Sequence, residues 1–131
     1  MKVLLIDIRM DDGFRNFAEF AEALLREKDV EDITVIDNLD DLYKFVPEVI
    51  MVSDECAAAM KFKKYSYRIN ESAVVIVGHS MRVEHAYRMC KEYGDEVLLR
   101  PLIRGDRAYS DVLITAIENA IKNKEGRDNE K

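Results

Sequence analysis

Asp7, the pair Ser53-Asp54, the triplet Gly78-His79-Ser80 and the pair Arg100-Pro101 each stand where a short apolar run ends. Two carboxylates beside a cation could hold a divalent metal or orient a phosphate, since such metals take oxygen ligands and a guanidinium offers phosphate a planar fork of donors. The same residue types at the same places can instead satisfy loose backbone groups, because Ser or Asp ahead of a helix caps its first turn. The choice between these roles depends on the elements that carry the residues.

The apolar pattern alternates between two periods. Lys2 to Ile8 is a near-continuous apolar run, as expected of a strand covered on both faces. Phe14, Phe17, Ala18, Ala21, Leu24 and Leu25 then form one helical stripe. Ile33–Ile36 reads as a second strand, and Asp40–Val46 as a short helix stopped by Pro47, which cannot donate to a helical ladder. Val49–Val52 is a third strand and Glu55–Lys64 an alanine-rich helix. Ala73–Val77, almost wholly β-branched, is the fourth strand and is expected inside the sheet rather than at its edge. Val83, Ala86, Tyr87 and Cys90 give a helix with a stop at Gly94, and Val97–Leu99 a fifth strand. Leu113, Ala116, Ile117, Ala120 and Ile121 mark a last helix that Ser110 could cap.

This order of β-then-α units predicts one α/β domain over residues 1–124, a doubly wound parallel (βα)5 sheet of flavodoxin-like order 2-1-3-4-5. Residues 125–131 are expected to be a frayed polar tail. In such a sheet the working crevice lies beyond the carboxyl ends of the strands, where the polar residues above fall.

The composition bounds the function. With 131 residues, 48% of them hydrophobic and 35% charged, the chain reads as one ordinary globule. Twenty Lys plus Arg against 26 Asp plus Glu leave a net charge of -6, which disfavours nucleic acid and anionic membranes as partners. No run approaches the roughly 18 apolar residues that span a bilayer. Cys56 and Cys90 lack CxxC spacing and read as free, buried thiols, so the cytoplasm is the expected compartment. His79, His85 and Cys90 do not share a helix face, and no resident metal or cofactor is expected.

Pro47-Glu48-Val49-Ile50-Met51-Val52-Ser53, Glu96-Val97-Leu98-Leu99-Arg100-Pro101-Leu102 and Lys2–Asp7 resemble three signature strands of the receiver domains of bacterial response regulators. The likeness extends over residues 1–124. Among the positions that the resemblance assigns, Asp7 and Pro101 match. The second acid of the family's metal site falls on Ile8, the phosphoacceptor aspartate on Ser53, the phosphate-binding hydroxyl on Gly78, the aromatic switch residue on Val97 and the lysine on Arg100. A serine without a base is a poor acceptor, and Arg differs from Lys in reach and fork geometry. The resemblance therefore implies an atypical receiver-like signalling domain with a degenerate pocket. It would bind a protein partner or itself without phosphate control, and would not be an enzyme.

Under that resemblance the binding surface would lie on the helix from Val83, the fifth strand and the last helix, with Tyr87, Arg88, Val97, Tyr109 and Ile114 as candidates. An alternative shifts the acceptor to Asp54, with Asp11 or Asp12 turning toward Mg2+; because side chains alternate along a strand, a one-residue slip aims Asp54 elsewhere. The expected roles are then a helix cap at Ser53 and a solvated acid at Asp54. A second alternative makes Lys61–Arg68, basic with interleaved aromatics, a nucleic-acid contact. Gly78-His79-Ser80-Met81-Arg82 resembles the G-x-S-x-G elbow of α/β-hydrolases. It ends in Arg82, however, and His85, the one later histidine, follows without an intervening acid-bearing loop.

Overall fold

A computed structural model describes residues 1–7, 12–59, 71–100 and 109–129. The strands are β1 (Lys2–Ile6), β2 (Asp32–Ile36), β3 (Val49–Ser53), β4 (Ala73–His79) and β5 (Glu96–Arg100). They form one sheet in the order β2-β1-β3-β4-β5, and each neighbouring pair is parallel. The helices are α1 (Asp12–Glu27), α2 (Asp54–Ala59), α3 (Val83–Tyr93) and α4 (Tyr109–Asn129), with a 3₁₀ helix at Leu39–Lys44. The expected α/β architecture and strand order are those observed.

Period-two alternation sorts the strand side chains into two cores. Val3, Leu5, Val49, Met51, Val75, Val77 and Leu98 face α1 and α4, where Ala21, Leu25, Leu113 and Ile117 meet them. Leu4, Ile6, Ile50, Val52, Val74 and Ile76 face the 3₁₀ helix, α2 and α3, through Leu42, Cys56, Ala57 and Met89. The central strands β1 and β3 are buried along both faces, which explains their unbroken apolar runs.

Several boundaries differ from the sequence expectation for local reasons. Asn38 accepts the N–H of Asp40 at 2.9 Å and starts a 3₁₀ helix that ends at Lys44, ahead of Pro47, where an α-helix was expected. Ser110 is not a cap: it lies within α4 and is buried. The stop at Gly94 holds, but not through a left-handed backbone, since its φ is -124°. A Cβ there would come within 2.6 Å of Ile76 Cγ1, so glycine is required by the close approach of α3 to β4.

The polar end of the chain, expected to fray, continues as helix to Asn129. Asn123 donates to the carbonyl of Asp95 at 2.8 Å, and Arg127 Nε lies 3.1 Å from Asp95 Oδ1, so the last turns are tied to the start of β5. Burial pushes the Asp95 carboxyl above its ordinary value, opposed by the Val74 N–H and by Arg127. No described helix is long and apolar enough to cross a membrane.

Candidate functional site

The carboxyl edge of the sheet gathers Asp7, Ser53, Asp54, Gly78, His79 and Arg100, as the sequence led us to expect; Ile8, Asp11 and Pro101 lie outside the described residues. The neighbouring strands set their levels. Ser53 pairs with Val77, Gly78 with Leu99, and His79 with Arg100. Asp7 follows β1 directly, and its N–H donates to the carbonyl of Ile36 at 2.7 Å.

Ser53 ends β3, and its Oγ accepts the N–H of Cys56 at 3.0 Å. It is therefore the N-cap of α2, as anticipated, and its hydroxyl is occupied by the backbone. Asp54 corrects the expectation of a solvated acid, because it is fully buried. Its Oδ1 accepts the N–H of Glu55 at 2.8 Å, and its Oδ2 lies 2.7 Å from Nδ1 of His85 on α3. Burying a carboxylate is costly unless it is hydrogen-bonded, and here both oxygens have partners. Above this pair an ion pair of Glu55 and Arg82 joins the same two helices.

Asp54 is held against α2 and α3, the layer that Ile50 and Val52 also face. Arg100, two residues beyond Leu98, belongs by alternation to the side of α1 and α4. It is 8% exposed and its charge is felt by Tyr109 of α4. The two groups that would have to converge on a phosphate thus lie on opposite sides of the sheet.

Gly78 carries the same message. A Cβ built there would come 2.3 Å from Ala86 Cβ, so the position faces α3 at contact distance and has no room for a hydroxyl. Ser80 follows in a turn closed by the Arg82 N–H on the carbonyl of His79 at 2.9 Å. Its Oγ is buried without a hydrogen-bond partner among the described residues. Ser80 and His85 do not form a nucleophile–base pair, consistent with setting the hydrolase motif aside. Among the described residues no group of three or more His, Cys, Asp and Glu is arranged to hold a metal.

The candidate binding residues divide. Tyr87 is 58% exposed, and Arg88 beside it is exposed as well. Val97 and Ile114 are half-buried, Ile114 packing on the core. Tyr109, a candidate for the binding surface, is buried, stacks on Phe20 at 6.0 Å between centroids and donates its hydroxyl to the carbonyl of Leu99. Burial pushes its phenol well above the ordinary value, with Arg100 opposing. Lys61–Arg68 lies outside the described residues. Cys56 and Cys90 are free, and burial raises both thiols to about 11, which favours the protonated form at neutral pH.

The sequence matches no family model and no curated protein. Solved structures do match it. A response regulator receiver domain from Clostridium thermocellum aligns at a TM-score of 0.65 with 20% identity, over 95% of this chain and 96% of that one. The N-terminal signal receiver domain of a two-component response regulator from Bacteroides fragilis aligns at 0.61 with 17% identity, over 92% of this chain and 98% of that one. The fold is that of a receiver domain. NtrX from Brucella abortus, solved in complex with ADP, also aligns, at 0.61 with 12% identity; 98% of this chain is covered, but it spans only 28% of NtrX. Asp54 was among the sequence candidates, but its contact with His85 was not anticipated, and α3 carries the exposed Tyr87.

Proposed function

We propose that this receiver-fold domain is a regulatory protein-interaction module of the cytoplasm. It engages a protein partner or a second copy of itself, works without aspartyl phosphorylation, and acts by binding rather than by turning over a substrate. The observation that carries the reading is the full burial of Asp54 between α2 and α3, with both carboxylate oxygens bonded and Arg100 on the other side of the sheet. With α2 and α3 packed, that carboxylate presents no exposed surface. The capping role of Ser53 and the contact of Gly78 with Ala86 support the same reading.

The surface for binding is the outer side of α3. Val83 and Tyr87, one helical turn apart, are 37% and 58% exposed, and Met81 in the preceding turn is 76% exposed. Apolar side chains grouped in this way, flanked by Arg88, make the aromatic-plus-arginine composition that protein interfaces favour. The free, protonated thiols suit a reducing compartment.

Sedimentation velocity over a range of concentrations, with and without acetyl phosphate and Mg2+, tests this reading. The expected result is an assembly, with itself or with an added partner, that is indifferent to acetyl phosphate and weakened by Tyr87→Ala. Association that requires acetyl phosphate and disappears in Asp54→Ala contradicts it.

A further inference from the structure

His79 and His85 are the two histidines of the chain, and they are held in opposite ways. Nδ1 of His79 accepts the backbone N–H of Met81 at 3.0 Å, so its neutral ring carries the proton on Nε2. Nδ1 of His85 lies 2.7 Å from Oδ2 of Asp54. A carboxylate accepts and does not donate, so in the neutral form of His85 the ring proton is on Nδ1 and the lone pair on Nε2. The side chain of His85 is 30% exposed whereas that of Asp54 is 0% exposed. Since Nδ1 is turned to a fully buried group, the exposure falls on the far edge of the ring, where Nε2 has no hydrogen-bond partner among the described residues.

An imidazole whose Nδ1–H is held by a buried carboxylate is oriented, and any positive charge that develops on the ring is balanced. Its exposed nitrogen is then a nucleophile with a fixed direction. The charged residues next to His85 along the chain are Arg82, Glu84 and Arg88, with Glu55 on α2, and Arg82 pairs with Glu55. The guanidinium of Arg82, half-exposed and paired with Glu55, stands three residues before His85.

We propose that His85 accepts a phosphoryl group at Nε2 from an N-phosphoryl donor, the chemical class to which phosphoramidate and phosphohistidine belong. The Nε2 lone pair forms a bond to phosphorus as the donor's own N–P bond breaks, and the donor nitrogen keeps that electron pair. With phosphoramidate the departing molecule is ammonia. The Nδ1 proton stays on the ring against Asp54, whose charge balances the phosphorylated imidazole. One N–P bond is exchanged for another, so no oxidant, metal or further reactant is needed. This acceptor is separate from the aspartyl chemistry argued against above and does not depend on the protein-binding reading.

The test is incubation of the full chain with potassium phosphoramidate, followed by 31P NMR and tandem mass spectrometry. The expected product is an acid-labile, alkali-stable phosphoryl group on Nε2 of His85, retained in His79→Gln and lost in His85→Gln. Asp54→Asn is expected to slow labelling by about tenfold, the effect usual for losing the carboxylate behind a working histidine. If that variant does not fold, as its amide spectrum would show, the contrast between the two histidine variants still decides. Labelling of His79 at an equal or greater rate, or a folded wild-type protein left unlabelled, overturns this proposal alone. A hydroxylamine-labile label on Asp54 overturns both it and the reading of the domain as free of aspartyl phosphorylation.

Discussion

On the α2–α3 side of the sheet the strand ends close directly against helices. Asp54 is bonded to His85, Gly78 touches Ala86, and Glu55 pairs with Arg82. On the α1–α4 side the strand ends meet a cation and an aromatic: Arg100 is buried near Tyr109, whose hydroxyl caps the Leu99 carbonyl. The acid and the cation at the working edge are thereby assigned to different layers. A pocket for a phosphorylated aspartate needs them in one crevice. The comparison shows that the acid and the cation at this edge are divided between the packing of two separate helix layers.

If the α2–α3 side is closed by contact, reopening it should cost stability. Gly78→Thr, which introduces a hydroxyl at this level, should destabilise the fold by about 3 kcal/mol because the new Cβ overlaps Ala86; urea unfolding measures this, and an unchanged midpoint breaks the comparison. Next in size is His85→Ala, expected to cost about 2 kcal/mol by leaving a buried carboxylate without its side-chain partner. A double-mutant cycle with Asp54→Ala should show strong coupling, since the two groups touch. On the other side, Tyr109→Phe removes one hydrogen bond and should cost about 1 kcal/mol. Tyr87→Ala, outside both contacts, should change stability by less than about 0.5 kcal/mol while weakening association.

The fold was legible because its elements follow the two periods closely. The buried strands are continuous apolar runs, and Ala18, Ala21, Leu24 and Leu25 are buried at helical spacing as read. The cap at Ser53 was legible too, since serine between an apolar strand and an alanine-rich helix is a local signal. The bond from Asp54 to His85 was not, because 31 residues separate them and no spacing rule links an acid opening one helix to the first turn of the next.

Tyr109 could have been read correctly. It precedes Leu113 by one helical turn and Ala116 by two, and so extends the buried stripe of α4 backwards; placing the cap at Ser110 cut that stripe short. The end of α4 was misjudged because its polar residues were weighed only by exposure. Lys, Glu and Arg are good helix formers, and Arg127 finds Asp95 on the opposite edge of the sheet.

The central claim is that Asp54 belongs to His85 and not to a metal-and-phosphate crevice with Asp7 and Arg100. Titration of Mg2+ with beryllofluoride, an aspartyl-phosphate mimic, followed through the backbone amide signals of Asp7, Ser53, Asp54 and Arg100, tests it most directly. The account predicts no saturable shifts at these positions and an undisturbed His85 ring signal. Saturable shifts at Asp7, Asp54 and Arg100 together, abolished in Asp54→Asn, would contradict it.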